Sequence, residues 1–310
     1  MGTVRVGWIG CGRMGTAMAK RLVASDHDVV VTNRTRAKAE VLGELGATVV
    51  DTPRDLGDCD IVFVMVSADE QLMDVVSGPI GVLANDSSLP SVIVDCSTVS
   101  METSANVRAA CELRGVDFLA APVSGNPKVV ASGRLTLAVS GPKDAFDQVR
   151  PLFELLGHGV SYVGEGEGSR LVKICHNVLL GIVTQSLAEI TVLAERGGVP
   201  RSAFLEFINS SVMGSTFSKY KTPAFVNLDF TPTFTPVLLR KDFELGLAEA
   251  KKLNVPMPLA ALCTQIVMSA IGAGYVNDDF AVLLLEEARN AGLVLESENL
   301  TIDDGLGAKS

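Results

Sequence analysis

Three hundred and ten residues make room for two domains of about 100–200 residues each. Twenty-six Lys and Arg stand against 36 Asp and Glu, a net charge of −10, which speaks against holding nucleic acid or another polyanion through bulk charge. Cys11, Cys59, Cys96, Cys111, Cys175 and Cys263 form no C-x-x-C pair; with no long apolar run and no basic-then-apolar leader, the expectation is a cytoplasmic protein with reduced thiols, no zinc site and no membrane partner.

From residue 4 to about 162, short β-rich runs alternate with helical stretches. The strand candidates are 4–9, 28–33, 61–66, 92–95 and 116–119. The run Ile61-Val62-Phe63-Val64-Met65-Val66 is apolar on both faces, as a strand covered by helices on each side must be. Two later candidates, 135–139 and 160–163, are expected to add an antiparallel edge. Beyond Gly168 the texture changes: Leu171, Ile174, Val178, Ile182, Leu187, Ile190 and Leu193 recur at three- and four-residue spacing, predicting one long helix with Ser169 as its cap and Gly197, Gly198 and Pro200 as its stop. Its apolar positions run most of the way round, so it is expected to lie between packed partners. Further helices are predicted over 201–209, 238–253, 258–273 and 279–291, leaving 300–310 as a loose polar tail.

The first strand runs into Gly10-Cys11-Gly12-Arg13-Met14-Gly15 and then a helical stretch. In that context Gly10 permits a tight turn, Gly12 lets the backbone approach a pyrophosphate, and Gly15 lets helix and strand pack closely, while the helix N-terminus offers free N–H groups to the anion. The plainer reading is a Gly-rich turn that only reverses the chain. Where NAD-binding units place Asp or Glu against the ribose 2′-hydroxyl, this chain has Asn33, followed by Arg34, Thr35, Arg36 and Lys38. Removing the carboxylate relieves repulsion with a 2′-phosphate, and a guanidinium is its bidentate partner. NADP is therefore the expected cofactor, with NAD at lower affinity; alternatively, Arg34 and Arg36 are a solvated helix start. The fold class predicted is α/β: a Rossmann domain with a doubly wound, mostly parallel sheet over 1–165, then an all-α domain over 166–300, joined by a long interdomain helix.

Several blocks in register carry a more specific likeness: the glycine loop with Met18-Ala19, Asn33-Arg34-Thr35, Asp95-Cys96-Ser97-Thr98, Asp117 through Ser124-Gly125, Gly168 to Lys173 to Asn177, and Lys241-Asp242. In these the chain resembles the β-hydroxyacid dehydrogenases almost end to end. The resemblance implies hydride exchange between a nicotinamide cofactor and a small 3-hydroxy acid or its semialdehyde, and a homodimer or homotetramer formed through the helical domain. It implies that Lys173 is the general acid/base and that Asn177 orients substrate beside it. It implies that Ser124 and Gly125 grip the substrate carboxylate, that Val66 binds the cofactor, that Thr98 lies near the nicotinamide, that Lys241 closes over that ring, and that Asp242 orients its neighbours.

The residue types suit these roles. Lys173 and Asn177, four apart on one helix, share a face. An ammonium can give the proton that a carbonyl oxygen needs on reduction; an unperturbed lysine titrates near ~10.4, so oxidation is expected to quicken with rising pH. On residues alone, a lysine snorkelling to water is the plainer reading of Lys173, and a helix cap that of Ser97 or Thr98. Two departures reshape the substrate side. His176 stands where the family has a first asparagine, supplying a titratable donor and acceptor or else a histidine bonded to a backbone carbonyl. Asn126-Pro127-Lys128-Val129 replaces glycines and alanine; Asn126 is expected to keep the loop by adopting positive φ, while Pro127 lacks an N–H for substrate. These departures leave two alternatives, a reductase of a non-carboxylate carbonyl or imine and a non-catalytic NADP-binding protein. His27, His158 and His176 are dispersed, so no metal is expected.

Overall fold

The structure, a computed structural model, describes residues 3–307. They fall into two compact units divided between Lys173 and Ile174, so the start of the long helix goes with the first unit, beyond the 165/166 boundary expected from sequence. In chain order the first unit holds β1 (Arg5–Ile9), α1 (Arg13–Val23), β2 (Asp28–Thr32), α2 (Arg36–Gly43), β3 (Thr48–Val49), β4 (Ile61–Val64), α3 (Asp69–Ser77), β5 (Val92–Asp95), α4 (Met101–Glu112), β6 (Asp117–Ala120), β7 (Val123–Ser124), α5 (Pro127–Ala131), β8 (Thr136–Val139), α6 (Lys143–Leu156) and β9 (Gly159–Tyr162).

Six strands form one sheet in the order β3-β2-β1-β4-β5-β6, every neighbouring pair parallel. This is the doubly wound sheet that the alternation of elements predicts. Its side chains divide by the two-residue period of a strand. Trp8, Phe63 and Val94 enter one core with Leu152 and Phe153 of α6, and Val62, Val64 and Ile93 enter the other with Val107 of α4. Trp8 stacks on Phe63 at 5.6 Å between ring centres, and Phe153 meets Phe63 edge-on at 6.0 Å. Each such ring withdrawn from water contributes about 1.5–3 kcal/mol, which makes the sheet a rigid shelf for whatever sits at its strand ends.

The later strands correct one expectation. β8 and β9 pair parallel with each other, and with β7 antiparallel to β8 they form a separate three-stranded sheet. Pro122, which has no N–H to donate, follows β6 and turns the chain away from its ladder. An isolated antiparallel bridge from Ala120 to Ser140 links the two sheets.

Helix α7 (Gly168–Arg196) runs into the second unit, which adds α8 (Arg201–Ser210), α9 (Thr216–Asn227), α10 (Pro236–Lys252), α11 (Pro258–Gly272) and α12 (Leu283–Asn290). Strands are absent from this unit among the described residues. Ser169 does not cap α7: its own N–H is taken by Ser140 Oγ at 3.1 Å, and its hydroxyl donates to Ala120 O. Helices α7 and α10 approach through glycines, since a Cβ on Gly181 would lie 2.5 Å from Phe243 Cζ and one on Gly246 2.5 Å from Val178 Cγ2. Helix α7 holds no unbroken run of eighteen apolar residues, yet it is apolar on average. An 18-residue stretch of it has mean hydropathy 1.5, enough to cross a bilayer by length and composition, but half of that stretch is buried inside the fold, as in a core helix. Nor is the tail loose where it is described. Leu300 exchanges two hydrogen bonds with Asn227, and Leu306 is buried; residues 308–310 of the expected tail lie outside the described residues.

Candidate active site

The glycine loop closes the end of β1. Gly10 has φ +98°, and a Cβ there would stand 2.1 Å from Met65 O; one on Gly15 would stand 1.9 Å from Gly10 O. No other residue fits either position. Gly12, the N-cap of α1, is different: a Cβ would meet nothing within 4 Å, no side chain caps the helix, and no acidic residue lies in its first turn. Its N-terminal N–H groups thus face open space beside a backbone free to approach a ligand, which fits a dinucleotide pyrophosphate. Arg13 is exposed at the start of α1, and Met14 packs partly against the core. Cys11 is buried, and burial pushes its thiol up to about 11, so at neutral pH it is an inert S–H group beside the loop.

Asn33 ties that loop to the end of β2. Its Oδ1 accepts from Cys11 N at 2.8 Å, and its Nδ2 donates to Thr35 O at 2.9 Å. A carboxylate could accept the first bond but not donate the second. The two arginines that follow part company. Arg36 is bound to Asp51 and, at 2.8 Å, to Glu40, whereas Arg34 is exposed and makes no ion pair among the described residues. Thr35 is the N-cap residue of α2, without a side-chain cap bond.

At the next two strand ends, Val66 N donates to Ser97 Oγ at 2.9 Å. Ser97 is therefore not a helix cap; Ser100 caps α4, its Oγ accepting from Thr103 N at 3.1 Å. Thr98, half-buried, follows Ser97. Because β2, β1, β4 and β5 are neighbours in that order, Asn33, Gly10, Val66 and Thr98 succeed one another along the carboxyl edge of the sheet, where ligands of open α/β sheets collect.

Ser124 ends β7, and the turn after it is made by Gly125 at φ +143°, not by Asn126. Asn126 instead has φ −122° and caps α5, its Oδ1 accepting from Val129 N at 3.0 Å. Pro127 takes the first helical position, where the missing N–H costs no helical bond. The departure read from sequence as a reshaped loop is thus a one-turn helix, its cap oxygen already engaged.

Lys173 is half-buried on α7. Three and four residues on, His176 is exposed and Asn177 is 4 % exposed. Asn177 Nδ2 donates to Asp242 Oδ2 on α10 at 2.6 Å, which turns its Oδ1 to His176 Nδ1 at 2.9 Å. An amide oxygen only accepts, so this contact puts the imidazole proton on Nδ1. His176 thus has a side-chain partner at Nδ1. Asp242 is 2 % exposed and does orient a neighbour, while the half-buried Lys241 holds its Nζ 3.7 Å from Asp242 Oδ1. The site residues of the first unit thus run from Gly10 to Lys173, and His176, Asn177 and Lys241 belong to the second.

Sequence reasoning passed over Arg170, which is 1 % exposed. It lies three residues before Lys173 and pairs with Asp95 at 2.5 Å, while its NH1 donates to Ser97 O. The available signal was a charge amid apolar residues, opposite a lone aspartate closing an otherwise apolar strand. No group of three or more His, Cys, Asp or Glu residues able to hold a metal occurs among the described residues.

Residues 5–164 match the family described as the NAD binding domain of 6-phosphogluconate dehydrogenase, and residues 166–285 that described as NAD-binding of NADP-dependent 3-hydroxyisobutyrate dehydrogenase. Glyoxylate/succinic semialdehyde reductase 1 of Arabidopsis thaliana is 31% identical over 91% of this chain and 97% of its own length. Among solved structures, 3-hydroxyisobutyrate dehydrogenase (ygbJ) from Salmonella typhimurium superposes with TM-score 0.81 at 26% identity, over 91% of this chain and 99% of that one. Psf3 in complex with NADP+ and 2-OPP does so with TM-score 0.80 at 27% identity, over 90% and 99%.

Proposed function

This chain belongs to the β-hydroxyacid dehydrogenase family, and from that premise we propose that it is an NADP-preferring enzyme interconverting a small 3-hydroxy acid and its semialdehyde, with Lys173 as general acid/base. The class, an NAD(P)-dependent oxidoreductase, follows from membership. The observation that carries the finer reading is the line of Asn33, Gly10, Val66 and Thr98 along one sheet edge, with Lys173 in the same compact unit.

NADP is favoured because Asn33 leaves no carboxylate against a 2′-phosphate and Arg34, unlike Arg36, keeps its guanidinium uncommitted. Psf3, a structural relative, carries NADP+. When bound, the dinucleotide supplies or accepts hydride at its nicotinamide ring. The chain does the rest. Gly10, Gly12, Arg13, Met14 and Gly15 receive the pyrophosphate, and Val66 and Thr98 stand at the ring end, with Lys241 closing over it. Ser124 and Gly125 hold the carboxylate, with Asn126 setting the shape of their turn. On reduction Lys173 gives a proton to the substrate oxygen; on oxidation it takes one away. Asn177, fixed by Asp242, and His176 orient the substrate beside it. In this reading the protein is cytoplasmic and neither nucleic acid nor a membrane is a partner. A second or further copy of the chain associates through the helical unit, which exposes large apolar side chains such as Leu193, Phe207, Val212, Leu259 and Leu262; light scattering of the purified protein reads the subunit number.

The deciding experiment follows the absorbance of NADPH with a panel of short aldehyde acids. Consumption with at least one of them, inhibited by short carboxylic acids, is expected. Binding of NADPH without consumption across the panel would overturn the reading in favour of a cofactor-holding protein.

A further inference from the structure

We propose that Arg170 is a positioning residue for this reaction: by clamping the first turn of α7 to the end of β5, it fixes Lys173 against the edge that receives the nicotinamide. The inference rests on the function proposed above.

The clamp lies wholly within the first unit. Arg170 NH2 donates to Asp95 Oδ2 at 2.5 Å and to Asp95 O at 3.5 Å, NH1 to Ser97 O at 2.5 Å, and Nε to Ser104 Oγ at 3.1 Å. Asp95 is 0 % exposed, and its second oxygen accepts from Ser97 N at 3.0 Å. Ser97 Oγ in turn accepts from Val66 N. The guanidinium thus ties the first turn of α7 to Asp95 and Ser97, and Ser97 carries the tie on to Val66. The same turn has two further fastenings. Arg108 binds Glu167 at 2.8 Å, Gly166 O at 2.8 Å and Phe118 O at 2.6 Å, and Ser169 is bonded to Ala120 O and Ser140.

Stability does not explain such a pair, because a buried ion pair replaced by neutral groups of similar volume is often no less stable. Its geometry does. An α-helix rises 1.5 Å per residue, so Lys173 stands about 4.5 Å along the axis from Arg170, and any roll or slide of that turn moves the amine. A displacement of about 1 Å at a reacting group costs on the order of 100-fold in rate.

The test compares the native protein with Arg170→Lys and with the neutral double variant Arg170→Met/Asp95→Asn, in which residue 95 can still accept from Ser97 N. Expected for the double variant are a native-like melting temperature and NADPH affinity, a kcat lower by about 100-fold at little-changed KM, and a larger primary isotope effect with deuterated NADPH as the hydride step becomes limiting. Arg170→Lys should recover part of the loss. Native kcat in the folded double variant, or a loss of kcat matched by loss of NADPH affinity with an unchanged isotope effect, would overturn the proposal. Failure of the native protein to turn over any substrate counts against the proposed function instead. Even then hydrogen exchange decides on the clamp: faster exchange over 64–68 and 168–173 in the double variant supports it, and unchanged exchange there refutes it.

Discussion

The two units each bury a cation against an aspartate, and the surroundings differ. In the first, Arg170 and Asp95 join the start of α7 to strand ends that also carry the candidate cofactor residues. In the second, Lys221 of α9 donates to Asp279 at 2.5 Å, sits 4.2 Å from the centre of the Phe280 ring, and is 4 % exposed. Asp279 also accepts from Thr233 N, Thr233 Oγ1 and Ala281 N. Burial lowers the Lys221 ammonium from its ordinary value, with Asp279 pulling it back up. The shift of Lys221 taken alone would suggest a site, yet the bonds of Lys221 and Asp279 with each other, with Thr233 and with Ala281 N join structural groups of the helical unit. A shifted lysine reports desolvation; it reports catalysis only where the surrounding donors face open space.

The largest expected effect breaks this comparison if it fails. Lys173→Ala should reduce turnover in both directions by about 10²–10⁴-fold, with NADPH affinity and melting temperature unchanged. Substantial turnover by that variant in steady-state assays would remove Lys173 from the chemistry. Lys221→Ala should do the opposite. It leaves Asp279 buried without its cation and should cost about 3–5 kcal/mol of stability, read by denaturant unfolding, while kcat per folded molecule stays native. A catalytic defect in folded Lys221→Ala would erase the distinction between the two corners. Next in size is Arg34→Ala. A hydrogen-bonded charge is worth about 1.5–3 kcal/mol, so NADPH affinity should fall by about 10–100-fold and NADH affinity hardly at all. Equal losses by titration calorimetry would mean that Arg34 does not read the 2′-phosphate.

How much of this was legible varies with the range of the interactions. The strands and the glycine loop were readable because their causes are local: two-faced apolar runs, and backbone positions that only glycine can occupy. β3 and β7, two residues each, are too short for any periodicity. Helix α9 went unseen because Pro223 lies inside it and its apolar residues make no stripe. The cap of α5 has a local cause as well, since Asn126 followed by Pro127 is a helix-start signature, at odds with the loop expected there. For Arg170 the sequence offers only a charge amid apolar residues; its partner is 75 residues away and only the folded sheet brings them together. In the site, a reading could be made wherever it rests on one block of sequence, as at the glycine loop, and could not be made for the fastening between blocks.

A third cation–carboxylate contact sharpens the comparison by burying only one of its partners. Glu286 of α12 is 1 % exposed, while the Arg289 side chain is 63 % exposed. Bonds from Arg289 Nε and NH2 hold the Glu286 carboxyl below its usual range, burial opposes them, and Ser269 Oγ adds a further lowering bond at 2.7 Å. A carboxyl with a lowered folded-state pKa stabilises the fold above its unfolded value, and that contribution is lost as pH falls through the folded one. Native protein and Arg289→Ala should therefore differ in melting temperature at neutral pH, and the gap should close as the solution is taken below the ordinary carboxylate range. Salt should narrow it at neutral pH, because the guanidinium stands in water. The Lys221–Asp279 corner, buried on both sides, should show far less dependence on salt. A gap that instead widened in acid would mean that Arg289 acts through something other than the Glu286 carboxylate.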